Sequence, residues 1–118
     1  MDIESVVLNL LTNAYYFSKL NNRSRIVVIG LQKKKMDSQE GMEITVSDTG
    51  PGVRPKIRDQ IWRPLFSTKI DKQGRPVGTG LGLSIVDSVV KDLSGSRSVA
   101  TDEKLGGACF KVWLKLSQ

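Results

Sequence analysis

The chain has 118 residues, of which 18 are Lys or Arg, 12 are Asp or Glu and none is His, so its net charge is +6. The length allows one domain with a buried hydrophobic core. The sequence has no apolar run near the ~20 residues of a membrane span and no recognisable signal peptide, so we expect a cytoplasmic location. The absence of His excludes a Ser-His-Asp or Cys-His catalytic pair and any imidazole metal ligand, and the single Cys109 excludes an intrachain disulfide and a cluster of Cys ligands.

The first half of the chain predicts a helix followed by a hairpin. Apolar residues recur at three- and four-residue steps over residues 3–18, which is typical of an amphipathic helix. Branched residues over 25–34 predict a strand, 37–41 predicts a turn, and the alternation over 43–47 predicts the returning strand. The sequence Asp-Thr-Gly-Pro-Gly at 48–52 then ends the regular structure.

The second half predicts a long loop between two helical segments, and then a second pair of strands. Residues 55–62 predict a short helix with Pro in its first turn, 67–80 a loop, 81–93 a helix, and 96–101 and 108–116 two strands around a Gly-Gly turn. Strands paired by short turns, with helices between the pairs, predict an α+β fold. We expect a two-layer α/β sandwich in which a mixed, mostly antiparallel sheet is covered on one face by about three helices.

The positive charge is concentrated in one stretch. Residues 54–75 carry a net charge of +5 out of the total of +6. A solvated basic loop that binds nucleic acid non-specifically would explain this excess. However, the stretch lies between two glycine-containing motifs and has few aromatic residues interleaved, so we rank nucleic-acid binding last.

Three local features could carry chemistry. Asn9 and Asn13 lie one turn apart on an otherwise apolar helix, where a carboxamide is costly to bury without partners. The oxygen of Asn13 suits Mg²⁺ that is held jointly with substrate phosphates. Asp48 ends a strand, where its carboxylate could accept a hydrogen bond from an exocyclic amine. The simpler alternatives are an Asn bonded to a neighbouring loop and an Asx turn.

The third feature is the glycine-rich stretch 78–84, which opens a predicted helix. Free N–H groups at a helix N-terminus form an anion site, and a flexible linker is the alternative. The stretch is not a Walker loop, because no Lys-Ser/Thr follows it, and it lacks the strand-turn-helix unit of a dinucleotide fingerprint. Together the three features predict a metal ligand, an adenine-reading carboxylate and a phosphate site.

The order and spacing of these motifs resemble the GHKL ATPases, most closely the catalytic ATP-binding domain of sensor histidine kinases. The matching segments are the N box at 9–14, the G1 box at 48–53, the F box at 61–69, the G2 box at 78–86 and the last glycine turn at 106–110. The resemblance covers nearly the whole chain. It implies the GHKL ATPase fold, with residues 1–118 as a single ATP-binding catalytic domain and a long ATP lid at about 54–77.

The resemblance also implies a role for each matching residue. Asn13, supported by Asn9, would ligate the Mg²⁺ that bridges the phosphates, and Asp48 would accept the adenine amine. Lys69 or Arg75 of the lid would meet phosphate charge, which makes Asn9, Lys69 and Arg75 the candidates for catalytic roles. The other implied nucleotide-binding residues are Phe17, Gly50, Gly52, Val53, Phe66, Thr79, Gly80, Leu81, Gly82 and Leu83.

The position of Asn9 helps to choose a reaction. Gyrase-type and chaperone-type members of the superfamily carry a general-base Glu there, which this chain lacks, so the resemblance implies transfer rather than hydrolysis. The γ-phosphoryl group would pass to a His on a separate dimerisation/phosphoacceptor domain, since this chain has no His, and then to a response regulator. The alternative is a non-enzymatic, ATP-dependent conformational switch.

Two expected elements of the family are missing from the sequence. The strand that usually precedes the N box is absent, and so is the helical hairpin that carries the phosphoacceptor His. We expect the absence of that strand to leave a sheet edge exposed, which would offer a site for self-association.

Overall fold

The computed structural model describes residues 2–22, 24–66, 73 and 82–116. Within these ranges no helix is both long and apolar enough to cross a membrane. The elements are α1 (Asp2–Ser18), β1 (Val27–Met36), β2 (Gln39–Asp48), two 3₁₀ turns (Pro55–Ile57 and Gln60–Trp62), α2 (Gly82–Asp92), β3 (Ser96–Thr101) and β4 (Ala108–Lys115).

The four strands form one sheet in the order β1-β2-β4-β3, and both α-helices pack on the same face of it. This architecture confirms the α+β two-layer sandwich. Every strand pair in the described residues is antiparallel, so the sheet there is not mixed. The order leaves β1 and β3 as the edge strands.

The predicted helix at 55–62 is wrong in type, because the structure has two separate 3₁₀ turns there. Eight residues are too few for a helix to be stable without strong packing, and only Ile61 and Trp62 of this stretch are buried. Arg63, which precedes Pro64, adopts an extended conformation with ψ of 145°, as the residue before a proline commonly does. The described residues therefore supply two α-helices rather than about three.

The predicted turn at 37–41 is shorter in the structure, and both flanking strands are correspondingly longer. Only Asp37 and Ser38 form the turn, with φ angles of 51° and 67°, and Met36 already pairs with Gln39. Positive φ at both central residues gives the turn a twist that matches the twist of the flanking strands. The hairpin therefore holds β1 and β2 in register over ten residue pairs.

The core lies between the sheet and the two helices. Its helix positions recur at three- and four-residue steps, and its strand positions alternate. The central buried residues are Val6, Leu10 and Ala14 of α1, Val86, Val89 and Val90 of α2, Ile44 and Val46 of β2, and Phe110, Val112 and Leu114 of β4.

The opposite face of the sheet carries polar groups that satisfy one another. The carboxylate of Glu43, only 6% exposed, accepts hydrogen bonds from Gln32 Nε2 at 2.9 Å and Lys34 Nζ at 3.1 Å. Burial raises the pKa of Glu43, but these hydrogen bonds outweigh that effect and lower it below the usual range. Glu43 is thus a buried carboxylate with its partners in place.

Candidate functional site

Asp48, at the end of β2, is the buried carboxylate that lacks a full set of partners. Its side chain is 1% exposed, and Oδ1 accepts hydrogen bonds from the backbone N–H groups of Gly50 at 2.8 Å and Ala108 at 3.3 Å. Oδ2 is buried and has no partner in the described part of the chain. Burial raises the pKa of Asp48, and the two backbone bonds act against that rise. Because buried acceptors in proteins are nearly always hydrogen-bonded, a buried oxygen without a partner indicates a position where a ligand could supply the donor.

Two glycines let the backbone pack closely around this carboxylate. A Cβ built on Gly107 would collide with the carbonyl and Oδ1 of Asp48 and would lie 2.7 Å from the N of Gly50. A Cβ built on Gly50 would lie 2.8 Å from the Cβ of Phe17. Only glycine allows these approaches, so the loop after β2, the C-terminal part of α1 and the turn before β4 meet at Asp48.

The loop after β2 is also tied to the segment that follows α1. Asn21 Nδ2 donates to the Thr49 carbonyl at 2.9 Å, and the Ile26 N–H donates to Thr49 Oγ1 at 3.0 Å. These bonds fix the loop that carries Asp48 and Gly50. Sequence reasoning missed Asn21 and Thr49 as supports, because nothing in the spacing of Asn21 predicts a partner 28 residues away.

Gly107 and Ala108 were recognised only as part of the glycine turn at 106–110, without a predicted contact to the carboxylate of Asp48. Ala108 reaches Asp48 across 60 residues through the pairing of β4 with β2. The signal that could have found Gly107 is the Gly-Gly pair itself, since one of the two positions needs a positive φ and the other needs a close approach.

A stripe of side chains at four-residue steps on α1 connects this carboxylate with the start of α2. Phe17 contacts Gly50 beside Asp48, whereas a Cβ built on Gly82 would lie 3.1 Å from Asn9 Oδ1, so α2 begins against Asn9. Asn13 lies between them on the same face. The stripe is about 12 Å long, since each helical residue rises ~1.5 Å.

The two Asn residues of the stripe differ in their hydrogen bonding. Asn9 Nδ2 donates to the Ser5 carbonyl of its own helix at 2.7 Å. Asn13 is only 7% exposed, and its carboxamide makes no hydrogen bond within the described residues. Groups of three or more carboxylate or thiol side chains that could hold a metal are also absent from the described residues.

The remaining predicted site residues fall into two groups. Val53, Phe66 and Leu83 are half-buried and pack against the core, and Gly52 adopts a positive φ of 78° in the loop after β2. The others lie outside the described residues, and their roles stay predictions: Lys69, Arg75, Thr79, Gly80 and Leu81.

Comparison with known proteins gives a family for this arrangement. Residues 1–118 match the family model described as histidine kinase-, DNA gyrase B- and HSP90-like ATPase. The chain is 36% identical to the sensor histidine kinase CpxA of Escherichia coli K12 over 114 residues, which are 97% of this chain and 23% of that protein. It is 33% identical to the sensor histidine kinase ZraS of Salmonella typhi over 112 residues, 95% of this chain and 21% of that protein. The chain thus spans less than a quarter of the length of these relatives.

Solved structures agree with this result. The mycobacterial sensor histidine kinase MprB superposes with a TM-score of 0.72 at 26% identity, covering 97% of this chain and 70% of that one. The nucleotide-free catalytic domain of the histidine kinase ThkA gives a TM-score of 0.65 at 26% identity, covering 97% and 66%. Family model, relatives and fold coincide, and the chain belongs to the histidine kinase-, DNA gyrase B- and HSP90-like ATPase family as a GHKL ATPase domain of the sensor histidine kinase type.

Proposed function

We propose that this domain binds ATP with Mg²⁺ and transfers the γ-phosphoryl group to a His on a separate dimerisation/phosphoacceptor domain, as in two-component signalling. The observation that carries the proposal is the buried Oδ2 of Asp48, which has no partner among the described residues. Histidine kinase relatives support the reaction, and the structure of full-length ShkA with AMPPNP, at 25% identity, supports a nucleotide ligand.

In this proposal the open oxygen of Asp48 accepts the exocyclic amine of adenine. Guanine carries a carbonyl oxygen at the equivalent ring position, so two acceptors would face each other and one buried group would stay unpaired. Phe17 and Val53 pack on the base, and Gly50 and Gly52 keep the floor of its pocket open. The proposal therefore includes a preference for adenine nucleotides.

The phosphates and Mg²⁺ are assigned to the other end of the stripe. The buried carboxamide of Asn13 suits Mg²⁺, which accepts neutral oxygens and commonly takes only one or two protein ligands when it shares phosphates. Asn13 would hold the ion with support from Asn9, and the ion would neutralise part of the phosphate charge when bound. Backbone amides at Thr79–Leu83 would complete the phosphate site.

The concentrated positive charge has a role under the same proposal. The ATP lid is assigned to about 54–77, with Phe66 at its base and Lys69 or Arg75 meeting the phosphates. Trp62 lies close to this base, and the chain has only one other Trp, Trp113. In a Trp113→Phe background, the fluorescence of Trp62 should change when ATP binds, and an unchanged spectrum at saturating ATP would contradict the lid assignment.

The partners follow from the proposed reaction and from the resemblance to sensor histidine kinases. Because the chain contains no His, the phosphoacceptor is supplied by another domain, and the response regulator receives the phosphoryl group afterwards. We assign no role to nucleic acid, and we place the domain in the cytoplasm, where ATP is available.

Self-association through β1 is part of the same proposal. Val28, Ile29 and Leu31 of this edge strand are between 44% and 62% exposed, which favours pairing with another strand. Lys33–Lys35, farther along the same edge, opposes it, as edge lysines commonly do. Sedimentation over a range of concentrations tests it, and a monomer at millimolar concentration would contradict it.

Calorimetric titration with Mg²⁺·ATP is the decisive experiment, carried out on the wild-type chain and on Asp48→Asn. We expect binding by the wild type and a large loss in the variant, and no heat at millimolar ATP would contradict nucleotide binding. Transfer of labelled phosphate to an added dimerisation/phosphoacceptor domain tests the kinase. Binding without any transfer would favour the alternative, a nucleotide-dependent switch.

A further inference from the structure

A cluster of one acidic, one basic and one aromatic side chain joins three elements on the helix-covered face of the sheet. Arg97 of β3 donates through Nε to Asp87 Oδ1 of α2 at 2.9 Å. The same guanidinium lies 4.7 Å from the ring centroid of Trp62 in the second 3₁₀ turn. Trp62 in turn meets Phe110 of β4 edge to face, with 5.8 Å between ring centroids.

The cluster is partly shielded from water, which distinguishes it from an ordinary surface ion pair. The side chains of Asp87 and Arg97 are 16% and 28% exposed, and Trp62 is 3% exposed. A charge pair with little exposure is screened less by solvent than an exposed one. The second cation at Asp87, Lys91, is 73% exposed and belongs to the same helix, so it joins α2 to no other element.

Arg97 constrains the orientation of α2, which the apolar contacts of the helix do not. Val86, Val89 and Val90 anchor the helix by burial, which is non-directional. The guanidinium instead fixes Asp87 at a defined distance and direction through a charged hydrogen bond while it stacks on Trp62. Asp87 lies five residues after Gly82, about 7.5 Å along the helix, so fixing it also fixes the first turn of α2.

We propose that Arg97 is a positioning residue for the phosphate end of the nucleotide. Through Asp87 and Trp62 it sets the rotation and translation of α2 on the sheet. This orientation aims the first turn of α2 at the phosphates, next to Asn9. The inference rests on the proposed binding of ATP, and it adds a residue that itself touches no nucleotide.

The geometry separates the two ends of the ligand, which gives the inference a specific consequence. The surroundings of Asp48 come from the C-terminal part of α1, the loop after β2 and the turn before β4, and none of its described contacts comes from α2. Loss of Arg97 should therefore weaken binding of the triphosphate while it leaves binding of adenosine unchanged. A residue with a merely structural role would weaken both ligands together.

The test is calorimetry with Mg²⁺·ATP and with adenosine on Arg97→Met, Arg97→Lys and the control Lys91→Met. We expect Arg97→Met to weaken ATP binding about 5- to 10-fold, the range of a coupled pair, with adenosine within about 2-fold of wild type. Arg97→Lys keeps a cation at Asp87 and should restore part of the ATP affinity. Lys91→Met should match the wild type for both ligands.

Each other outcome has a defined meaning. Equal weakening of ATP and adenosine in Arg97→Met, or no weakening of either, would overturn the positioning role, and so would an equal loss of ATP affinity in Lys91→Met. If Arg97→Met does not fold, as judged by circular dichroism, Asp87→Asn removes the same pair from the helix side and gives the same comparison. Failure of the wild type to bind ATP would overturn the proposed function itself, and the inference with it.

Discussion

Two buried carboxylates on β2 should respond in opposite ways to loss of their charge. Asp48 and Glu43 are 1% and 6% exposed, and they lie on opposite faces of the sheet. Glu43 has two side-chain donors in place, whereas one oxygen of Asp48 has none among the described residues. The matched variants Asp48→Asn and Glu43→Gln therefore compare an acceptor that is open to a ligand with an acceptor whose hydrogen bonds stabilise the fold.

For Asp48→Asn we expect little change in stability and a large loss of binding. The Asn oxygen can still accept from Gly50 and Ala108, and an unpaired buried amide costs about as much as the unpaired carboxylate oxygen it replaces, roughly 1–3 kcal/mol. The free energy of unfolding at pH 7 should thus change by less than about 1 kcal/mol. Facing an adenine amine, however, the Asn amide offers a donor to a donor. The lost charged hydrogen bond and the unpaired groups amount to about 3–5 kcal/mol, or roughly 10²- to 4 × 10³-fold in Kd.

For Glu43→Gln we expect the reverse. The variant loses the charge that Lys34 and Gln32 contact, and since Lys34 is half exposed the cost is about 1–2 kcal/mol of unfolding free energy. ATP affinity should be unchanged, because Glu43 lies on the face of the sheet away from both helices.

Urea unfolding followed by circular dichroism measures the stability of both variants, and calorimetry with Mg²⁺·ATP measures their affinity. The reasoning fails if Asp48→Asn loses more stability than Glu43→Gln does. It also fails if Asp48→Asn binds ATP within about 3-fold of the wild type, a difference of under 1 kcal/mol.

Three further substitutions or conditions test the same geometry. Gly107→Ala should abolish adenosine binding, because its Cβ would collide with Asp48. Gly106→Ala has no atom within 4 Å of its Cβ, so it should lose only the roughly 1–2 kcal/mol of unfolding free energy that a positive φ costs a non-glycine residue. Calorimetry measures the binding and urea unfolding the stability, and an equal loss of binding in both variants would contradict the collision. Adenosine affinity should fall as pH drops through the raised pKa of Asp48, since the protonated carboxyl loses its free acceptor, and a pH-independent calorimetric affinity would refute this. Burial raises the pKa of Asp87, but the two cations that contact it outweigh this effect and lower the pKa below its ordinary value. The stability that the Asp87 charge contributes is therefore present above the ordinary pKa of Asp and is lost as pH falls through the lowered pKa. The Asp87→Asn variant should not lose this stability on acid unfolding, and unfolding curves identical to those of the wild type would argue against the contribution.

The sequence predicted the helices and strands in which the buried face produces a regular repeat of apolar residues. α1 shows its period plainly, so the placement of Asn9 and Asn13 one turn apart followed from spacing alone. The stretch at 55–62 was misjudged because its few apolar residues fit a short helix as well as two 3₁₀ turns, and only packing decides between them.

Contacts between distant segments could not be predicted in the same way. The bond from Ala108 to Asp48 depends on how β4 pairs with β2, and a sequence does not state that register. Arg97 meets Asp87 and Trp62 only because an edge strand, a helix and a turn are packed together. The binding motifs could be identified from local sequence patterns, whereas the residues that hold those motifs in position could be identified only from the tertiary structure.

The hydrogen bonding of Asn9 bears on why transfer is proposed instead of hydrolysis. Its amide nitrogen is bound to the Ser5 carbonyl and its oxygen faces the start of α2, and a carboxamide cannot take a proton from water. Water is a poor nucleophile unless a base removes its proton, whereas a neutral imidazole has a free nitrogen lone pair near pH 7. A site that positions the phosphates and neutralises their charge without a base at Asn9 therefore favours a His acceptor over water.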